Sequence, residues 1–405
     1  MKRISVLTII ALVFSTSILA QESMDSVTTK GSTEDVYYNF NTGKKVAVDQ
    51  DNWDLAFENL GFTASVLIND QKGVMLYTAP YDVEEWTQFD TAGYMSWKET
   101  INSSSSWSSG AFNQDLQSET DLGWGTYNVQ THVISGDSVY MLKLADGSFK
   151  KMYIKDLTGG TYTFVYANID GSSEMTAMVT KKDMNGQNFG YYSVEDQKVV
   201  PREPDTKEWD VVFTQYVIPV PTGPGSFQNY PVSGVKINKA MEVAQRDGID
   251  VMSDDTTNLT WTTNISEIGS DWKTWDGTQY VYAQDRAYFV RLTNGAVWKM
   301  YFTKYEGGPL GTYHFVKEKI ASGVNVQNVL NASSSIYPNP SNGGAVTVSL
   351  SNQFELKGIT VLSSAMNTVA TSTSNTINTA ELASGMYFVQ IETNQGTAIK
   401  KLLID

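Results

Sequence analysis

The sequence predicts an all-β protein organised around an internal repeat. Composition gives the first indication. The chain holds 22 Tyr, 10 Trp and 31 Gly among 405 residues, a mixture of aromatic strand formers and turn residues. Self-similarity gives the second. The run Tyr140-Met141-Leu142-Lys143-Leu144-Ala145-Asp146-Gly147, continuing to Lys151-Met152-Tyr153-Ile154, returns as Tyr288-Phe289-Val290-Arg291-Leu292-Thr293-Asn294-Gly295, continuing to Lys299-Met300-Tyr301-Phe302. The offset is a constant 148 (288 − 140 and 301 − 153). Helix signals are sparse, and Asn238 to Arg246 alone suggests one short helix.

Taken from the N-terminus, Lys2 and Arg3 precede an apolar run from Ile4 to Leu19, and Ile18-Leu19-Ala20 stands before Gln21. That pattern predicts a signal peptide over 1–20; the run is too short for a membrane span and polar sequence follows at once. Residues 21–33 read as a polar leader. The first copy is placed at 34–182 and the second at 183–321. Each opens with a Tyr-Tyr strand, Tyr37-Tyr38 or Tyr191-Tyr192, followed by Trp53-Asp54-Leu55-Ala56-Phe57 or Trp209-Asp210-Val211-Val212-Phe213. The Trp and the Phe of this motif are expected on one core-facing side. Trp124 and Tyr127 align with Trp272 and Trp275.

Each copy closes with a meander. Asp146-Gly147 and Asn294-Gly295 predict type I′ hairpin turns, in which both central residues take positive φ. Gly160-Thr161-Tyr162-Thr163-Phe164-Val165 and Gly311-Thr312-Tyr313-His314-Phe315-Val316 supply a third strand. Alternation places Leu142, Leu144, Met152 and Ile154 on one face and sends Lys143 and Lys151 to water. The centres, about 70–120 and 220–265, diverge. A linker is expected over 322–334, rich in Ser and Asn.

The last seventy residues carry a separate pattern: Tyr337-Pro338-Asn339-Pro340, then Gly385-Met386-Tyr387, then Lys400-Lys401 before a short apolar end. This resembles the type A C-terminal sorting domain of the type IX secretion system of Bacteroidetes, over 335–405. The resemblance implies a small Ig-like β-sandwich, handling by the type IX machinery, and a secreted or surface-attached protein. The Tyr-rich strand, Trp-Asp-x-x-Phe and the hairpin ending Lys-Met-Tyr resemble the HmuY family of haem-binding proteins. That likeness implies two tandem HmuY-like β domains with haem or a related tetrapyrrole as ligand. Family members use paired histidines or methionine toward the iron. This chain has only His132 and His314, at non-equivalent positions, so neither copy can hold a two-histidine site. His132 and the central methionines Met75, Met95, Met241 and Met252 are the candidate cofactor-binding residues; thioether ligation of haem iron is chemically sound.

Bulk properties narrow the function further. No cysteine is present, which excludes disulfides, zinc-thiolate sites, thiol catalysis and lipid attachment at cysteine. The net charge is −15, and −17 once the two cations of 1–20 are subtracted, which disfavours nucleic acid and anionic membranes. No Gly-x-Ser-x-Gly, His-Glu-x-x-His or phosphate-binding glycine loop occurs. Glu84-Glu85 beside Trp86 read as a solvated acidic turn, and Asp49, Asp51 and Asp54 lack the glycine turn and distal Glu of a calcium loop. The expectation is therefore a non-enzymatic ligand-binding protein with no assigned metal. The alternative is a surface adhesion or glycan-binding protein that uses Trp86, Trp97, Trp107 and Trp261 of the divergent centres as exposed platforms.

Overall fold

The computed structural model describes residues 22–61, 63–114, 116–118, 120–184, 186–321, 334–350, 354–363, 367–393 and 396–405. The signal peptide expected over 1–20 and nearly all of the 322–334 linker lie outside them. The fold is all-β, as the sequence predicts, and every strand ladder is antiparallel.

The two meanders form as expected. Tyr140 pairs with Met152, and Tyr288 with Met300, in one register displaced by the repeat offset. Both third strands follow, Thr161–Asn168 and Thr312–Ala321, and both meanders break register at the equivalent place, between Ile154 and Asp156 and between Phe302 and Lys304, the second also between Val297 and Trp298. The turns differ from the type I′ expectation. Leu144 N donates to Ser148 O and Gly147 N to Leu144 O; Leu292 with Ala296 and Gly295 repeats the pattern. Only Gly147 and Gly295 take positive φ, 85° and 80°. A three-residue loop needs one left-handed residue, and Asp146 and Asn294 instead accept from the amides of Ser148 and Ala296.

Strand pairing crosses the boundary placed between the copies at 182/183. The first Tyr-Tyr hairpin, Glu34–Tyr38 with Lys45–Asp49, pairs with Val211–Gly223 of the second copy through Val36 and Phe213. The second, Phe189–Ser193 with Lys198–Val200, pairs with Leu55–Glu58 of the first copy. One packed half thus comprises 55–200 and the other 211–321 together with 23–49. The first has an eight-stranded sheet facing the four-stranded sheet of Leu55–Glu58; its core holds Phe57, Leu142, Met152, Ile154 and Phe164. The second packs a five-stranded sheet against the four-stranded sheet of Val211–Gly223, around Tyr38, Phe213, Tyr288, Met300 and Phe315.

Four local expectations change. The leader is an edge strand, Ser23–Thr28, whose Val27 enters the second core opposite Tyr313. Glu242–Arg246 is a strand on Ala287–Arg291, because ladder pairing and burial of Val243 outweigh a weak helical preference. Trp53 and Trp209 lie apart from Phe57 and Phe213, facing the junction between the halves, because each Trp precedes its strand and escapes the strand's alternation. Lys151 is buried. The divergent centre of the first copy folds over the outer face of its sheet, and the ammonium bonds the Trp86 carbonyl at 2.8 Å beneath the Trp86 ring.

The C-terminal unit is a sandwich of a three-stranded sheet (Ser334–Tyr337, Ala345–Leu350, Thr376–Asn378) and a four-stranded sheet (Thr368–Ser372, Leu356–Ser363, Gly385–Thr393, Gly396–Ile404) around Val348, Val361, Ile391 and Leu402. Asn339 joins its first and last motifs: its amide donates to Lys401 O and its carbonyl accepts from Leu403 N, at 2.8 and 2.9 Å.

Candidate functional site

A cleft of about 1140 Å³ opens in the second half. One wall is a hairpin, Lys273–Trp275 with Tyr280–Tyr282. Its turn is set by Asp276, whose carboxylate accepts from Thr278 N and Gln279 N, while Gly277 takes φ 102°. The floor is the end of Val297–Tyr305, and the single helical turn Gly307–Leu310 closes one side. Tyr230, on the long arm Ser226–Ile237, forms the far wall.

The lining is aromatic. Trp275 and Tyr230 are 56% and 55% exposed, and Tyr280, Tyr282 and Tyr305 complete the walls. Tyr280 packs edge-on against both Trp275 (5.2 Å) and Tyr305 (5.0 Å), which fixes the ring orientations. Beneath them Trp272 stacks on Phe302 at 3.6 Å. Lys273 lies over the Trp272 and Tyr305 rings, and burial pushes its ammonium down to about 8. Polar groups stand at the rim: Gln279, Gln284, Thr303, Lys304 and Glu306. A hydrogen bond from Lys304, with the His314 ring 3.2 Å away, holds the Glu306 carboxyl below its ordinary range.

A second, smaller cavity of about 70 Å³ lies at the junction of the halves. Arg202 bonds Asp35 there at 2.6 Å, and Glu203 accepts from the amides of Asn188 and Phe189 and from the Tyr191 hydroxyl. Asp70 and Lys236 complete the cluster. Burial dominates: it pushes Glu203 up to about 7 and Asp70 up to about 6, and brings Lys236 down to about 8. This volume accommodates a few waters and is far too small for a porphyrin.

The candidates proposed from sequence are dispersed. His132 sits at positive φ in the turn after Gly125–Asn128, with the Tyr127 hydroxyl 2.7 Å from its Nδ1. Met75 begins the strand Met75–Asp82, Met95 projects into solvent from a 3₁₀ turn, and Met252 is exposed beside the Tyr301 hydroxyl. Met241 is buried in the second core. None of the five lines either cavity. Trp86 and Trp97 cover the first sheet, Trp107 donates to Ile237 O across the junction, and Trp261 lies under the Arg291 guanidinium. The cleft aromatics were missed. Their signal was Trp275 and Tyr280-Val281-Tyr282 flanking Asp276-Gly277, aromatic positions on both arms of one hairpin.

Two of the acidic positions are structural. The Glu85 carboxylate accepts from Asp82 N at the start of a 3₁₀ turn, and Asp54 is fully buried against Lys72 and the amide of Val194.

Residues 335–405 match the family of secretion system C-terminal sorting domains. The chain ends in a type IX sorting domain. It is therefore an exported protein, secreted or attached at the cell surface. No helix among the described residues is long and apolar enough to cross a membrane. No curated protein matches the chain. Among solved structures, apo PinO from Porphyromonas gingivitis aligns over 74% of this chain and 99% of its own, at 10% identity and a TM-score of 0.23. A polysaccharide lyase aligns over 95% of this chain and 46% of its own, at 9% identity and a TM-score of 0.19. Likenesses at this level carry no argument about the fold or the activity.

Proposed function

We propose that this exported chain is a non-enzymatic carbohydrate-binding protein whose ligand lies in the aromatic cleft of the second half. The observation that carries the reading is the cleft's composition: Trp275, Tyr230, Tyr280, Tyr282 and Tyr305, with amide and charged groups at the rim. A sugar ring offers an apolar face of C–H groups and an edge of hydroxyls. Aromatic faces take the first, and Gln279, Gln284, Lys304 and Glu306 can hydrogen-bond the second. The volume exceeds the roughly 300–1,000 Å³ of common small-molecule pockets, which suits several linked rings.

A tetrapyrrole is the second reading, supported by the resemblance of the repeats and by the volume of the cleft. Among the described residues no imidazole or thioether lines it, so an iron would depend on a tyrosine phenolate. Calorimetry of the full chain with cellohexaose and chitohexaose, beside a haemin titration, separates the two. Sugar binding that weakens by about tenfold or more in Trp275→Ala is expected. A Soret shift without sugar binding would favour the tetrapyrrole. Neither signal would remove the cleft as a site for these ligands.

A further inference from the structure

The first half contains the counterpart of the cleft, and there it is shut. Gly125–Asn128 with Val133–Gly136 is the same hairpin as Lys273–Trp275 with Tyr280–Tyr282. Gly125 pairs with Gly136 as Lys273 pairs with Tyr282, and Asp137 N donates to Trp124 O as Ala283 N donates to Trp272 O. Within the hairpin Gly136 therefore corresponds to Tyr282, and Ile134 to Tyr280. In the first half the hairpin continues the sheet: Ser135 pairs with Asp156 and Ile134 with Leu157. In the second half no such ladder joins the hairpin to Val297–Tyr305. The matching positions, Tyr280 and Tyr305, meet through their rings, and residues of both elements line the cleft.

The two hairpins differ sterically at the position of Gly136 and Tyr282. Gly136 lies so close to the neighbouring strand that a Cβ would overlap the Ile154 carbonyl oxygen. Only glycine allows that approach. Tyr282 stands at the corresponding place with a full phenol ring, half-buried against the second core and lining the cleft.

We infer that Tyr282 is the residue that holds the cleft open, so that the chain carries one such ligand site, in its second half, while the first half is the closed form of the same device. The ligand part of this inference rests on the carbohydrate reading above; the wedge does not. The test uses the full chain with Tyr282→Gly, Tyr282→Phe and Gly136→Tyr. Hydrogen exchange at residues 303–306 is expected to slow roughly tenfold in Tyr282→Gly, the protection one new ladder bond supplies, and to stay unchanged in Tyr282→Phe. Exchange at residues 155–158 should accelerate in Gly136→Tyr, with the urea midpoint of the second half unmoved. Calorimetry with cellohexaose should give one site per chain, abolished by Tyr282→Gly. Unchanged exchange at 303–306 in Tyr282→Gly overturns the wedge. Two sites per chain overturn the single-site assignment. Absence of sugar binding in the unsubstituted chain, with the exchange changes present, rejects the carbohydrate reading and leaves the wedge standing.

Discussion

Asp210 accepts a 2.7 Å hydrogen bond from the backbone amide of Phe40, 170 positions earlier in the chain. The relationship is mirrored, since Asp54 accepts from the amide of Val194 at 2.7 Å. The Asp of each Trp-Asp-x-x-Phe motif thus fastens the Tyr-Tyr hairpin of the other copy. The two halves are joined reciprocally, and the N-terminal hairpin closes the second half as a strap.

Removing that fastening leaves a buried amide without a partner. Asp210→Ala should cost about 1–3 kcal/mol of stability, and Asp210→Asn less, because its carbonyl can still accept. Urea unfolding monitored in the second half measures both. Equal losses in the two variants would show that the hydrogen bond is not what the position supplies.

The strap supplies Val27, Val36, Tyr38 and Phe40 to the second core. It also bonds the loop beside the cleft, with Thr29 N and Gly31 N donating to Gly311 O and Leu310 O. Deleting residues 22–49 should therefore abolish hydrogen-exchange protection across 211–321 and leave it across 55–180. The loss of four buried apolar side chains, each contributing about 1.5–3 kcal/mol, exceeds what one half can spare. Protection retained in both halves would refute the strap.

The junction should make stability depend on pH. Glu203 is raised from 4.5 to about 7, so the folded chain binds the extra proton between those values and stability falls as pH rises through that window. Lys236 is lowered from 10.5 to about 8, so its contribution rises again between about 8 and 10.5. A minimum between these limbs, near pH 7 to 8, is expected in urea midpoints. Glu203→Gln should flatten the acid-side limb, and an unaltered limb would assign it to other groups.

Export is expected to require the C-terminal sandwich. Deletion of 335–405 should trap the chain in the periplasm, read by immunoblotting of cell fractions and culture medium. Asn339→Ala, which cuts the link from the first motif to Lys401 and Leu403, should lower the exported fraction while the two repeats stay folded. Undiminished export of the deletion variant would show that the address lies elsewhere.

Much of this was legible in residue order. The Asp146-Gly147 and Asn294-Gly295 hairpins and the three-strand meanders arise from contacts between residues close in sequence, where turn chemistry and alternation act directly, and the tail motifs are legible as a linear pattern. The site was less legible. Methionines and histidines drew attention as donors, yet a donor counts only where the fold brings donors together, and His132, Met75, Met95, Met241 and Met252 lie on separate elements. The tryptophans of the divergent centres drew attention as platforms and instead cover sheet faces and the junction.

By itself the sequence determined the β class, the repeat and the export address, because period, turn residues and a linear motif are local properties of the chain. Tertiary structure alone decided that each Tyr-Tyr hairpin completes the opposite half, that Lys151 is buried, and that one of two equivalent hairpins forms no ladder with its sheet. These depend on which surfaces meet between segments that are not neighbours in the chain, from 65 positions apart for Trp86 and Lys151 to 170 for Phe40 and Asp210. There, a single steric fact, a ring at Tyr282 where Gly136 has only hydrogen, outweighs the similarity of everything around it.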